Sequence, residues 1–212
     1  MATDKKVLVT PPFRVSFPWV EVAREQENDD GTKNKGKYGV TAVWMPNTFN
    51  AVQKQQWNEI LKLLDEVSIA AFKKKWKDLP ANFKKGLRDG SEKEGLEGFP
   101  EGCMFASLTS SHKPIIWNRD KSARIVNDPE QFYAGVWARA MVNCYSYDTK
   151  GKGVALGLNL LQKLGDGPRI GGGPGANAET AFADHELTEA DEAWLTKQGA
   201  EFGASDDEDG GF

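Results

Sequence analysis

The chain has 212 residues, 39% of them hydrophobic and 27% charged, enough for one domain of ordinary size with an appendage. No stretch approaches the roughly 20 apolar residues of a membrane span, MATDKKVLVTPPF lacks the apolar core of a secretory signal, and Cys103 and Cys144 alone indicate no disulfide framework. The net charge of −4 is split: residues 1–170 carry 26 Lys and Arg against 20 Asp and Glu, whereas residues 171–212 carry one Lys against 11 acids. A soluble cytoplasmic protein is expected, with a mildly basic body (+6) and a strongly acidic end (−10) that must be read apart.

In chain order, FRVSFPWVEV (13–22) alternates Phe13, Val15, Phe17 and Trp19 with polar positions, a period-two strand that Pro18 bends or places at an edge. ENDDGTKNKGK (27–37) reads as a loop, and KYGVTAVWM (37–45) as a second strand stopped by Pro46. Residues 47–78 give the one long helical pattern. Asn47 or Thr48 can cap it, Trp57, Ile60, Leu64, Val67 and Ala71 share a face, and lysines gather at its C-terminal end. Residues 79–102 read as a loop without a signal of its role.

Then CMFASLTS (103–110) and PIIWNR (114–119) read as short strands, EQFYAGVWARAMVNCYSYD (130–148) as the longest strand, and KGVALGLNLLQKLG (152–165) as its hairpin partner. Many short strands with one inserted helix predict a mainly β fold, a small, partly open barrel. GDGPRIGGGPGANAE (165–179) is a Gly/Pro-rich linker, so the body is expected over 1–170 and a disordered acidic tail over 171–212. Within the tail, LTEADEAWLTKQG (187–199) can form a short capped helix or a fluctuating turn.

The strand at 130–148 carries the chemistry. One face reads Phe132, Ala134, Val136, Ala138, Ala140, Val142 and Cys144, a core face. The other reads Tyr133, Gly135, Trp137, Arg139, Met141, Asn143, Tyr145 and Tyr147. Rings beside a cation on an open sheet suit single-stranded nucleic acid, since bases stack on aromatics for roughly 1–3 kcal/mol each and cations neutralise phosphates. Burial of both faces, under the helix and under 79–102, would use the same residues. Trp117 with Arg119, Lys121 and Arg124, and Lys33, Lys35 and Lys37 leading into Tyr38, add basic and aromatic groups nearby.

Catalytic readings have little to use. His112 and His185 are the only histidines, and His185 falls in the expected disordered tail, so a His-based metal site has almost nothing to use. The cysteines lack a CxxC partner and read as core residues. GGGPG at 171–175 lacks the Lys-Ser/Thr of a phosphate loop and reads as linker. No enzyme, cofactor or metal is expected.

The run FYAGVWARAMVNCYSYDTKGKGVALGLNLLQKLGDGPRIGG (132–172) resembles the C-terminal half of a bacteriophage single-stranded-DNA-binding protein family with an OB fold. The matching positions are Tyr133, Gly135, Arg139, Asn143, Tyr145, Tyr147, Gly153, Gly157, Leu158, Gln162, Lys163, Asp166 and Gly167, and the early order FRVSFPWV, KYGVTAVWMP and helix also fits. The resemblance implies an OB-fold-like five-stranded barrel that binds single-stranded DNA without catalysis in phage replication, recombination or repair, in the cytoplasm of the infected bacterium. Bases would stack on Tyr133, Trp137, Tyr145 and Tyr147, with Trp117, Tyr38 and Trp44 behind them. Arg139, Arg119 and Lys37 would hold the backbone, with Asn143 in the motif between. The tail residues Asp206, Asp207, Glu208, Asp209 and Phe212 are similar to tails that compete with DNA and contact replication proteins. A tail of about 40 residues reaches on the order of 35 Å, enough to visit its own groove. A homodimer is left open. The competing expectation is a protein-interaction adaptor using the same face and tail as docking surfaces; an acidic DNA mimic suits the net charge but not the +6 body.

Overall fold

A computed structural model describes residues 6–25, 35–126, 128–148, 151–171 and 193. The chain divides into two units, Met1–Gly171 and Gly172–Phe212, and all the elements named below belong to the first. The first residues of the expected linker, 165–171, are described and bond to the body, with the Ile170 amide donating to the Ala134 carbonyl and the Gly171 amide to Glu97. The rest of the linker, the acidic tail and its predicted short helix lie outside the described residues, apart from residue 193.

In chain order the elements are β1 (Val7–Val9), β2 (Phe13–Arg24), β3 (Lys37–Trp44), α1 (Ala51–Phe72), β4 (Phe83–Lys84), β5 (Arg88–Asp89), β6 (Met104–Ser110), β7 (Ile116–Trp117), β8 (Arg124–Ile125), β9 (Trp137–Tyr147) and β10 (Lys152–Gly165). The five long strands close on themselves. β2 pairs with β3, β3 with β6, β6 with β10, β10 with β9, and β9 returns to β2. Each pairing is antiparallel except β6–β10. This ring is the five-stranded barrel expected for an OB-like fold, with α1 inserted between its second and third strands. The short strands extend it: β1 along β9, β4 and β7 along β10, β5 along β6, and β8 along β7.

The helix is shorter than its sequence pattern. Asn50, not Asn47 or Thr48, caps it through a reciprocal box with Gln53. It ends at Lys73 in left-handed conformation (φ 60°), so Lys73–Lys75 lie just past the last turn. Its buried face is Trp57, Ile60, Leu63, Leu64 and Ser68, and Ala71 is exposed. The apolar members fill the barrel from one side, in one cluster with Phe13, Val15, Trp44, Val142, Leu156 and Leu161.

Two expected strands begin or run differently. In β2, a register shift between Ser16 and Trp19 breaks the alternation. Phe13 and Val15 stay inside, while Phe17 takes a positive φ of 43° and is 51% exposed. The shared face predicted for Phe13, Val15, Phe17 and Trp19 is therefore split. Residues 131–136 are a turn, not strand: Asp128 caps it through the Gln131 amide, and Gly135 adopts φ 119° with the Pro168 carbonyl where a Cβ would sit.

The 79–102 segment is ordered and has a packing role. Phe99, Cys103 and Phe105 join Val43 in a second small core on the outer side of β3 and β6. Arg88 lies over the Phe105 ring, 4.4 Å from its centre.

Candidate nucleic-acid interface

Strand β9 sorts its residues by parity. Ala138, Ala140 and Val142 are buried in the barrel; Trp137, Arg139, Met141, Tyr145 and Tyr147 keep exposure on the outer side. Their neighbours on β10 explain what each can do. Opposite the two tyrosines stand Gly153 and Ala155, so the Tyr145 and Tyr147 rings, 6.4 Å apart, lie over a floor of small residues. Burial and the neighbouring Tyr145 push the Tyr147 hydroxyl upward in pKa, which keeps it a neutral donor. Asn143 faces Gly157, and a Cβ there would lie 2.7 Å from its Oδ1. Asn143 is 8% exposed, so the structure places it beneath the surface as a spacer between strands.

At the other end of β9 the pairing builds a polar row across four strands: Arg124 on β8 opposite Trp117 on β7, Trp117 opposite Gln162 on β10, and Gln162 opposite Arg139. The Arg139 Nε donates to Gln162 Oε1 at 2.7 Å. Gln162 Nε2 donates in turn to the carbonyls of Asn118 (3.2 Å) and Arg119 (2.8 Å). Arginine offers no acceptor and a carbonyl no donor, so the amide has one orientation that satisfies all three. The Arg124 guanidinium sits 5.2 Å from the Trp117 ring centre, a cation–π pair at the rim of the same row. Arg119 is exposed in the turn that Gln162 holds.

Trp137 is 42% exposed, with the Arg14 guanidinium 5.3 Å from its ring centre. Arg14 is itself fixed by donating to the Pro168 carbonyl at 2.8 Å. Tyr133 is less open than expected. Its hydroxyl donates to Asp166 Oδ1 (3.2 Å) and the Gly167 carbonyl (3.1 Å), and Arg169 lies 4.2 Å from its ring centre. Lys163 pairs with Asp166 at 2.7 Å, and this contact holds the Asp166 carboxyl below the usual carboxylate range. Tyr133 thus ties down the segment after β10.

Trp44, expected among the stacking rings, is a core residue instead. It is 1% exposed at the centre of the barrel, with Phe13 and Trp57 ring centres at 5.4 and 5.3 Å, and its Nε1 donates to the Pro11 carbonyl. Its parity in β3 is that of Val40 and Ala42, inward, and no base can reach it. Tyr38 shares the parity but stays partly exposed at the strand's start, beside the exposed Lys37. The outer side of β3 and β6 offers Gly39, Thr41, Ser107 and Thr109, and a Cβ on Gly39 would meet the Trp19 ring at 2.9 Å.

Sequence reasoning gave no site role to Arg14, Phe17 or Trp19, and named Gln162 only as a motif position, not as the buried amide that orients Arg139. Phe17 stands 6.3 Å from Phe99 with its backbone in a region that non-glycine residues rarely occupy. The only sequence cue was Pro18 directly after it. The two thiols are not available for chemistry: both cysteines are buried, and burial pushes Cys144 up to about 12. Among the described residues no group of His, Cys, Asp or Glu could hold a metal ion, and no helix is long and apolar enough to cross a membrane.

Several known proteins share this architecture. The single-stranded DNA-binding protein from bacteriophage Enc34 matches over 83% of this chain and 89% of its own, with a TM-score of 0.57 and 19% identity. The same protein in complex with ssDNA matches over 78% and 89%, with a TM-score of 0.58 and 20% identity. The gp2.5 single-stranded DNA binding protein of bacteriophage T7 matches over 87% and 97%, with a TM-score of 0.52 and 14% identity. At such identities these likenesses speak to the fold. Putative protein p50 of Acyrthosiphon pisum secondary endosymbiont phage 1 is 34% identical over 106 residues, half of this chain. The chain spans 55% of the length of that curated relative. The family model described as Enterobacter phage Enc34, ssDNA-binding protein, matches residues 5–194. With that match over nearly the whole chain, and the OB-like ring beneath it, the protein belongs to the Enc34 phage ssDNA-binding protein family.

Proposed function

We propose that the chain binds single-stranded DNA without catalysis and with little sequence preference, serving phage replication, recombination or repair. The observation that carries this reading is the outer face of β9. It lines Trp137, Arg139, Tyr145 and Tyr147 along one strand, floored by small residues and flanked by Arg14, Trp117 and Arg124. Bases stack on Tyr145, Tyr147, Trp137 and Trp117, while Arg139, Arg119, Arg124 and Lys37 neutralise phosphates. Stacking ignores base identity because every base has a π-face, which suits a protein that must coat any strand.

The acidic segment, with 11 acids against one Lys over residues 171–212, acts on the same surface. Asp206, Asp207, Glu208 and Asp209 compete with phosphates, and Phe212 competes with a base or docks on a replication protein. In this reading residues 1–170 are the DNA-binding domain and 171–212 the regulatory one.

Titration with oligo-dT tests the function. Tryptophan fluorescence is quenched on binding, and affinity falls steeply with salt. No quenching at low salt by a chain ending at residue 195 sinks the DNA reading. Equal affinity with and without residues 196–212 removes the tail's competing role and leaves binding intact.

A further inference from the structure

From the last residue of α1 onward the chain reads Phe72, Lys73, Lys74, Lys75, Trp76, Lys77, and β4 and the residue after it add Phe83, Lys84 and Lys85. Two contacts draw these segments together. The Phe72 and Phe83 rings meet edge to face with centres 5.1 Å apart. Lys85 Nζ donates to the Lys77 carbonyl at 2.9 Å.

Several of these lysines are engaged by the protein. Lys73 Nζ reaches the Ala70 carbonyl (3.4 Å), and Lys77 lies 5.5 Å from the Trp76 ring centre. Lys74, Lys75 and Lys84 are exposed and belong to none of the ion pairs among the described residues. The acids nearby are Asp65, which accepts from the Trp76 amide, the exposed Asp78, and Asp148, which pairs with Lys152. The ridge therefore keeps a local excess of positive charge.

Its position gives that charge a use. β4 runs parallel to β10 with Lys84 opposite Gly153, and Gly153 stands opposite Tyr147. Two strand spacings place Lys84 about 10 Å from Tyr147 across a residue without a side chain. A Cβ on Gly153 would lie 3.0 Å from the Tyr147 hydroxyl and 2.2 Å from the Lys84 carbonyl. Glycine thus lets the phenol lie across β10 toward the lysines.

We propose that Lys74, Lys75 and Lys84 form a second backbone-binding site that carries single-stranded DNA onward from the Tyr147 end of the aromatic face. This rests on the DNA-binding reading above and adds a direction and a length to it. The ridge offers charge without an exposed ring, so it grips phosphates and adds no base preference.

The test uses the full chain and the triple variant Lys74→Gln, Lys75→Gln, Lys84→Gln. Two oligo-dT probes are used, one of about 6 nucleotides near the lower end of the roughly 4–16 that one OB fold covers and one of about 20 beyond its upper end. The expected result is a salt slope lower by about 2 for the long probe, at about 0.7 per lost single-strand contact, and an unchanged slope for the short one. Equal slopes for both proteins on the long probe, with the parent chain binding well, overturn the ridge alone. Failure of the parent chain to bind either probe overturns the DNA-binding reading and the ridge with it. Tighter binding of the long probe by the variant places the chain's acidic segment on the ridge instead of DNA, and also overturns it.

Discussion

Changing Gln162 to Glu separates the two jobs of the Arg139 row. The amide now donates to two carbonyls and accepts from Arg139. A carboxylate keeps the arginine, with a charge-assisted bond worth about 1.5–3 kcal/mol, but has no hydrogen for Asn118 or Arg119. Two hydrogen bonds of about 1 kcal/mol each are lost, and two carbonyls face an anion at a position only 8% exposed, each adding roughly 1–3 kcal/mol of unmet demand. The balance is a loss of about 1–6 kcal/mol, each kcal/mol lowering Tm by roughly 2–4 °C for a domain of this size. Arg139 is also neutralised, so the salt slope for oligo-dT falls by about 0.7. Gln162→Leu is the control: it frees the same carbonyls but leaves Arg139 charged, so Tm falls while the slope holds. Thermal unfolding and oligo-dT titrations at several salt concentrations read both quantities. A Gln162→Glu protein with the parent slope refutes a phosphate contact at Arg139. A parent-like Tm refutes the role given to the amide in holding the 118–119 turn.

Trp44→Ala loses roughly 3–5 kcal/mol of stability through the cavity left beside Phe13 and Trp57, and its oligo-dT affinity below the melting transition matches the parent; a selective loss of affinity would return Trp44 to the binding surface. Phe17→Gly relieves the left-handed backbone and holds or raises Tm. If its ring stacks a base, oligo-dT affinity drops by about 1–3 kcal/mol, roughly 5- to 150-fold, in the same titration. Iodoacetamide at pH 8 leaves both cysteines unmodified in the native protein and labels both in urea, as mass spectrometry reads directly. Because Cys144 titrates near 12 when folded and near 9.0 when unfolded, the unfolded chain releases its proton first. Stability is then whole below pH 9 and falls above it, by at most about 1.4 kcal/mol per pH unit from this group, which urea titrations at pH 8 and 10 measure.

The barrel strands are legible in the sequence because burial on one side imposes a period of two, and β9 keeps that period from Trp137 to Tyr145. Trp44 shows how residue type can mislead where phase does not. An indole suggests a stacking platform, yet it alternates in step with Val40 and Ala42, and all three point inward. Phe17 and Trp19 escape because a bulge shifts phase without changing composition. The role of 79–102 is not legible at all, since Phe99 and Phe105 meet through tertiary contact between segments with no shared periodicity. Gln162 illustrates the same limit. Its neighbours Arg139 and Asn118 lie 23 and 44 residues away, joined only by strand register.

β10 pairs with β4, β6, β7 and β9, so every closure of the ring passes through residues 152–165. During synthesis those residues emerge late, and until they do β6 and β9 have no partner between them. The β9–β10 hairpin can form from local contacts, but the parallel β6–β10 seam spans more than 40 residues of chain and the β2–β9 seam more than 120, and both carry a loop-closure cost. Folding of the body is therefore expected to be limited by those two seams, with the tyrosine floor assembled earlier, in the β9–β10 hairpin.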